Sequence, residues 1–293
     1  MSSKMTSRKY PLLFIVPAFS IYFLFSLYPL LSSMFYGFTD WNSYKNDIEF
    51  NGFSNFVFLF KEGAELVTVL KNTFYFAAAS VLFQNLFGFI LSLILMQKLK
   101  VRNWARTILF FPCILSPLLI GFSFTAILDM DGLLNDLLKL IGLGVWTKGW
   151  LGDPTTAMTA MIAINIWQWT GFTMAIYIAG LQGIPKELIE SAKVEGANAF
   201  QRIYSIVLPL LAPAITVNIV LTLIGSMKVF DLIYVTTSGG PGSATEVFLT
   251  YIYKQLVQGR FGYGVAANLV LFVIILIITL SVLPLLRRRE VEY

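Results

Sequence analysis

Lys228 and Asp231 lie three residues apart in the stretch SMKVFD, inside an otherwise apolar run. On one helix that spacing gives them a shared face, where they can pair. A charge at the centre of a bilayer costs about 2.5–3.5 kcal/mol on insertion scales, so both must face protein or water. Two chemistries stay open: cavity lining or proton relay, and a structural pair that fixes packing or gates a pathway. A second group is amide-, hydroxyl- and aromatic-rich: Asn165, Trp167, Gln168 and Trp169 in one apolar run, Asn218, Thr222 and Ser226 in the next. Sugars are held by aromatic faces stacked on C–H-rich ring faces and by amides or hydroxyls that meet their OH groups. Thr222 and Ser226 share a helix face one turn from Lys228, whereas Asn165 and Trp167 are helical neighbours only if the helix unwinds. For each residue alone, a packing tryptophan or a hydroxyl bonded to its own helix carbonyl is the competing reading.

Other chemistries are excluded. The chain has no histidine and a single cysteine, Cys113, so metal sites, triads and proton relays built on histidine are absent, as is an internal disulfide. No G-x-x-x-x-G-K-[ST] occurs, so the chain has no phosphate-binding loop of that kind.

The elements that position these residues follow from composition. Of 293 residues, 57% are hydrophobic and 13% charged, against about 25% charged in a soluble domain. The sequence therefore predicts an all-α membrane protein. Six apolar runs, at 12–35, 69–96, 104–128, 156–181, 206–235 and 263–286, reach the ~20 residues that a bilayer core requires. The first follows a short basic segment but exceeds the about 7–15 residues of a signal peptide's apolar region, and is read as a retained span. The resulting organisation is an N-terminal segment 1–11, a first span with its outer loop 12–68, a core of five spans 69–286, and a basic tail 287–293.

Six spans place both termini on one side, and the basic residues choose it. Thirteen Lys and Arg fall on the N-terminal side: Lys4, Arg8 and Lys9; Lys98, Lys100, Arg102 and Arg106; Lys186, Lys193 and Arg202; Arg287, Arg288 and Arg289. Seven lie opposite, spread over longer loops, and Lys228 is inside a span. Both termini are expected in the cytoplasm. The net charge of +5 thus reports topology, and nucleic acid is excluded as a partner. In the outer loops Trp41, Tyr44, Trp146 and Trp150 are candidate interfacial anchors, a short helix is expected within 129–154, SGGPG opens the third loop as a tight turn, and 246–256 continues as an amphipathic stretch. Pro112, Pro117, Pro209 and Pro213 break their spans, as hinges or as passive kinks, where neighbours or cavities must satisfy freed carbonyls. Gly88, Gly171, Gly225, Gly262 and Gly264 permit close helix contact.

One polar stretch, 183–209, separates two of the apolar runs. Pro185 suits a first helical turn, Glu187 and Glu190 sit at the positive end of the dipole, and Leu188, Ile189 and Ala192 form an apolar face. Gly196 stops this helix and Asn198 caps a second through Phe200 and Ile203. The stretch predicts a helix–turn–helix elbow outside the bilayer that serves as a docking surface.

This elbow resembles the cytoplasmic signature of inner-membrane permease subunits of binding-protein-dependent, ATP-driven (ABC type I) importers, which reads E-A-A, three residues, G, nine residues, I-x-L-P. Here Glu190-Ser191-Ala192, Gly196 and Ile206-Val207-Leu208-Pro209 keep both spacings, with Ser191 in place of the first alanine. GLQGIPKELIE, SGGPG and the adjacent Phe230-Asp231 are similar to the maltose, glycerol-phosphate and multiple-sugar branch. The resemblance implies a six-span permease fold of a sugar importer in a bacterial or archaeal cytoplasmic membrane. It implies that Glu190, Ser191, Ala192 and Gly196 seat in an ATPase groove. Asn165 and Trp167 match the N-x-W that lines the sugar site, with Thr222 and Ser226 on cavity-facing positions and Lys228 and Asp231 along the substrate pathway. It implies a second homologous permease, two ATPase subunits that carry ATP and magnesium, and an extracytoplasmic solute-binding protein. This chain itself carries no cofactor and no catalytic residue. The competing reading is a self-contained secondary transporter coupled to ions or protons through Lys228 and Asp231.

Overall fold

The computed structural model describes residues 9–45, 47–61, 63–97 and 100–288. Lys4, Arg8, Lys98 and Arg289, used above for topology, lie outside the described residues, as do 1–8 and 289–293 of the two terminal segments.

The described chain is helical. It runs through α1 (Lys9–Tyr22), a π turn (Phe23–Leu27), α2 (Tyr28–Tyr36), α3 (Ser54–Lys61), α4 (Gly63–Met96), α5 (Arg102–Phe110), α6 (Pro117–Ile127), α7 (Leu133–Leu140) and α8 (Ala157–Gln182). It continues through α9 (Lys186–Val194), α10 (Ala199–Arg202), a second π turn (Ile203–Val207), α11 (Leu208–Leu210), α12 (Ala212–Met227), α13 (Asp231–Thr236), α14 (Phe248–Val257) and α15 (Phe261–Arg287). Both π turns precede a proline, Pro29 and Pro209. The residue before each proline donates five back instead of four, Tyr28 N–H to Phe23 O and Leu208 N–H to Ile203 O. The wider turn accommodates a ring that has no N–H and crowds the carbonyl four residues earlier.

Four helical stretches among the described residues are long and apolar enough to cross a membrane: Ile15–Tyr36, Gly63–Met96, Ala212–Thr236 and Phe261–Arg287. The bent pair α5 and α6 makes a fifth when counted as one span. The helix α8 has 26 residues, about 39 Å at 1.5 Å per residue, but is too polar to be counted with them.

The chain divides into two compact units, Met1–Gly63 with Ile252–Phe272, and Ala64–Tyr251 with Val273–Tyr293. In the first, Asn55 Nδ2 donates to the carbonyls of Gly37 (2.9 Å) and Thr39 (2.8 Å), and Gly262 N–H donates to Trp41 O at 2.7 Å. A Cβ at Gly262 would stand 2.3 Å from Thr39 O, so only glycine allows this approach. The Trp41 ring packs against Tyr36 and Phe261 at 4.8 and 4.9 Å, so of the two residues expected at the interface here Trp41 packs within its unit, while Tyr44 is exposed.

The Asp40 carboxylate closes the adjacent loop: it accepts from the Lys45 ammonium and, at 2.8 Å, from Glu49 N–H. The Lys45 hydrogen bond, then that of Glu49 N–H, holds its pKa below the ordinary 3.8. A depressed carboxylate stabilises the fold above its unfolded pKa and loses that contribution as pH falls through the lower folded value. Thermal unfolding midpoints below about pH 4 should therefore fall more steeply for the wild type than for Asp40→Asn. Parallel curves would contradict this role.

The second unit holds the larger core, in which Phe76, Ile120, Met161, Ile164, Leu232 and Ile233 join α4, α6, α8 and α13. In hydrocarbon such contacts stabilise through close packing and hydrogen bonds between helices, since lipid is as apolar as the side chains. The third predicted span is broken as its prolines require. After α5 comes a short 3-10 turn (Phe111–Ile114), then Leu115 and Ser116 are extended (ψ 143° and 135°), and α6 departs at 97°. Pro117 forces the preceding residue out of the helical region and begins α6 at its first position. The freed Leu115 carbonyl accepts from Gln168 Nε2 of α8 at 3.2 Å.

The loop after α6 corrects one expectation. The Trp150 indole N–H donates to Asn135 Oδ1 at 2.9 Å, and the Lys148 ammonium lies 5.1 Å from its ring centre, so Trp150 is a tied packing residue; Trp146 remains exposed. Asn135, fully buried, also donates to the carbonyls of Asp129, Met130 and Lys148.

Candidate functional site

Within the second unit a cavity of about 330 Å3 lies among α4, α8, α12 and the start of α13. On α8 its wall is the face that carries Asn165, Gln168, Trp169, Phe172 and Thr173; on α12 it is Leu221, Thr222, Gly225 and Ser226. Gln84 of α4, Pro117 of α6 and the segment from Lys228 to Leu232 complete it. Residues 165, 168 or 169, and 172 recur at three and four, so an unbroken α8 presents them together.

Five of the six residues expected along a pathway reach this cavity: Asn165, Thr222, Ser226, Lys228 and Asp231. Trp167 does not. It lies on another face of α8, half exposed at 48%, with its ring edge against Phe124 at 5.3 Å, and it borders a separate apolar groove with Phe83 and Phe87. Because α8 does not unwind, a residue two positions from Asn165 is turned about 200° away. The aromatic residues beside Asn165 are instead Trp169 and Phe172. The spacing 165–169–172 was readable in the sequence; Gln84, eighty residues earlier, was not.

The pairing of Lys228 and Asp231 on one helix face is also corrected. Helix α12 ends at Met227, Lys228 is its C-cap at φ −104°, Phe230 stands at φ −140°, and Asp231 begins α13. The break destroys the three-residue register. No ion pair joins Lys228 to Asp231 among the described residues, and both side chains are exposed toward the cavity.

Several polar groups around the cavity already serve the fold. Asn165 Nδ2 donates to Ser80 Oγ at 3.1 Å, Asn218 Nδ2 to Thr173 O at 3.2 Å, and Tyr177 Oη to Asn85 Oδ1 at 2.7 Å. Ser226 Oγ donates to Thr222 O at 2.6 Å, the self-helix bond that competes with a ligand role. These amides tie α4, α8 and α12 together, and of them Asn165 lines the cavity itself. Gly225 has no atom within 4 Å of a notional Cβ. It therefore widens the cavity and makes no close helix contact, in contrast to Gly88, Gly171 and Gly264, which do, while Gly262 approaches loop backbone at Thr39 and Trp41.

The second feature is the segment 183–209. Helix α9 begins one residue later than expected, with Pro185 as its N-cap at ψ 128°. It ends at Gly196, whose φ of +86° belongs to the left-handed region that glycine adopts without strain. Ala197 N–H then donates to Ala192 O at 2.9 Å. Asn198 opens α10 with a capping box: Gln201 N–H donates to Asn198 Oδ1 (2.9 Å), and Asn198 N–H to Gln201 Oε1 (2.8 Å). On its inner side, Ile184 is buried and Ile189 packs with it against Tyr177, Leu181, Val207 and Leu211. Ala192 is half-buried, while Glu190, Ser191 and Gly196 are exposed. Leu188 is exposed as well, which narrows the expected apolar face, and Val194, Phe200 and Tyr204 expose 88%, 76% and 68% of their surface. The rings of Phe200 and Tyr204 stack 6.3 Å apart. The elbow is thus held rigidly on one side and bare on the other.

Comparison with known proteins shows the family. Residues 84–290 match the family of binding-protein-dependent transport system inner membrane components. A probable ABC transporter permease protein of Bacillus subtilis (strain 168) is 37% identical over 275 residues, 92% of this chain and 93% of that one. A probable starch degradation products transport system permease of Thermoanaerobacterium thermosulfurigenes is 34% identical over 282 residues, 96% and 94% of the two chains. A chain of a bacterial alginate ABC transporter, crystallised in complex with an alginate pentasaccharide-bound periplasmic protein, matches with a TM-score of 0.80 at 29% identity, over 94% and 93% of the chains.

Proposed function

Because this chain belongs to the family of binding-protein-dependent transport system inner membrane components, we propose that it is the permease subunit of an ATP-driven importer for a sugar, oligosaccharide or sugar derivative. It is a multi-pass membrane protein. Six spans account for it when the polar α8 is added as the fourth, with Asn165, Gln168 and Thr173 turned toward neighbouring helices. The distribution of Lys and Arg then puts both termini and the elbow in the cytoplasm.

The observation that carries this reading is the elbow, anchored through Ile184 and Ile189 yet bare at Leu188, Val194, Phe200 and Tyr204. A capped, rigid projection with an apolar outer side fits a groove on another protein. Glu190, Ser191, Ala192 and Gly196 seat there, on a separate ATPase that binds ATP and magnesium. A second homologous permease, two ATPase subunits and an extracytoplasmic solute-binding protein complete the assembly; the alginate transporter with its periplasmic protein supports the last of these by likeness. This chain binds no cofactor and catalyses nothing.

The 330 Å3 cavity is this chain's share of the pathway. Trp169 and Phe172 offer faces for a sugar ring, while Asn165, Thr222, Ser226, Lys228 and Asp231 meet its hydroxyls. Trp169→Ala should raise the KM for uptake about two- to tenfold, corresponding to the roughly 0.5–1.5 kcal/mol of one lost aromatic contact. Trp167→Ala should leave KM unchanged, and the reverse ranking would move the site to the other face of α8.

Uptake into proteoliposomes tests the proposal. The assembled complex should import only with internal ATP and the binding protein. Import by this chain alone, driven by an ion or proton gradient and abolished by Asp231→Asn, would establish the secondary-transporter reading instead.

A further inference from the structure

Neither the sugar cavity nor the elbow uses a third opening, a pocket of about 470 Å3 between α5 and α8. The two helices run antiparallel here: a Cβ at Gly171 would meet the Leu109 carbonyl, and Ala105, one turn earlier on α5, packs against the cluster of Leu95, Met174 and Ile178. Arg106, Thr107 and Gln182 therefore fall at one end of the pocket, and Phe111 and Ile114 toward the other. The polar end has an unspent cation. Arg106 Nη2 donates to Leu95 O, in the last turn of α4, at a long 3.4 Å, while Arg106 Nε is buried with no partner. A guanidinium carries five N–H donors, so most of its capacity is unused. No acidic residue occurs in the sequence between Glu65 and Asp129, while Lys100 and Arg102 lie just upstream. The other end is apolar and open, with Phe111 and Ile114 exposing 55% and 68% of their surface.

We propose that this pocket binds an anionic phospholipid, with its phosphate on Arg106 beside Thr107 and Gln182 and an acyl chain along Phe111 and Ile114. Charge complementarity selects the headgroup. A guanidinium meets phosphate with two parallel charge-assisted bonds, and basic pockets between membrane helices recruit anionic headgroups. A zwitterionic lipid would leave the local positive charge uncompensated, and a free phosphate would leave the apolar walls bare. The inference requires only that the chain lies in a bilayer, and holds whatever the protein transports.

Native mass spectrometry of the full chain, purified with the chains it assembles with and stripped of lipid, tests it. Titration with phosphatidylglycerol and phosphatidylcholine should show preferential retention of phosphatidylglycerol that inorganic phosphate does not displace. Arg106→Gln should weaken phosphatidylglycerol binding about tenfold, or about 1.4 kcal/mol, and Arg106→Lys should fall between, since it keeps the charge but not the fork. Ala179→Trp leaves Arg106 intact and fills the pocket from α8, and should also abolish the preference. Equal retention of the two lipids, displacement by inorganic phosphate, or a wild-type preference in Ala179→Trp would overturn the assignment. If Arg106→Gln does not assemble, Arg106→Lys and Ala179→Trp decide between the same outcomes.

Discussion

Replacing Gly196 with proline should reduce uptake about 100-fold, the scale of loss that a misplacement of about 1 Å can cause from a remote position, while leaving insertion and protein level unchanged. The effect is conformational, because a Cβ at Gly196 would meet nothing within 4 Å. Proline fixes φ near −65°, against the +86° observed, and removes the N–H that donates to Lys193 O. Helix α9 then leaves the turn in a different direction, and its bare side no longer lies beside that of α10. Asparagine, which tolerates the left-handed region, should keep most of the activity. Alanine should fall between, with a cost of about 1–2 kcal/mol for the same angle. Transport assays on proteoliposomes with matched protein content read all three. Wild-type uptake by Gly196→Pro would remove the elbow from the mechanism.

The largest loss of stability is expected at Gly171. A Cβ there would stand 2.0 Å from Leu109 O and 2.8 Å from Leu109 C and Phe110 Cα. All three atoms are backbone, so no side chain can rotate aside and the broken span itself must move. Overpacking of this kind typically costs 1–3 kcal/mol, and displacement of α5 also pulls Leu115 O away from Gln168, which leaves a carbonyl unsatisfied in the membrane. Gly171→Ala should lower the thermal midpoint sharply, and Gly171→Val should leave little folded protein after detergent extraction. Gly88→Ala is the internal comparison and should cost less: its Cβ would meet Thr173 Cγ2 at 2.7 Å, a methyl that can turn, and Thr173 Cβ and Met174 N at 3.0 and 3.1 Å, contacts far longer than the 2.0 Å at Gly171. Gly225→Ala should leave the midpoint unchanged, since nothing lies within 4 Å. A wild-type midpoint for Gly171→Ala would contradict the close approach of α5 and α8.

How much of this was legible in the sequence depends on the range of the interactions. Local signals were readable. The left-handed turn at Gly196, the Asn198 cap, the short helix after Asp129 and the break at Pro112 and Pro117 each depend on residues within one or two helical turns, whereas at Pro209 the chain widens into a π turn and stays helical. The failures concern register and distance. Three-residue spacing puts Lys228 and Asp231 on one helix face, yet the helix stops between them. The resemblance joins Trp167 to Asn165, although an unbroken helix turns them apart, and Trp169 and Phe172 are the aromatic residues beside the cavity. The Gln168 bond to Leu115 O and the Gly171 contact with Leu109 join residues more than fifty positions apart, and no local pattern announces them. Trp150 looked like an interfacial ring because its partner, Asn135, is fifteen residues away.

The proposed docking of the 183–209 elbow on a separate ATPase is tested most directly by cross-linking at Val194, which is 88% exposed. In a background with Cys113→Ser, Val194→Cys should form a short cross-link to an ATP-hydrolysing chain in native membranes and should resist membrane-impermeant thiol reagents added from outside the cell. Val145→Cys, in the loop after α7, should do the opposite. Labelling of Val194→Cys from outside, or an assembly that hydrolyses ATP and yields no such cross-link, would contradict the account.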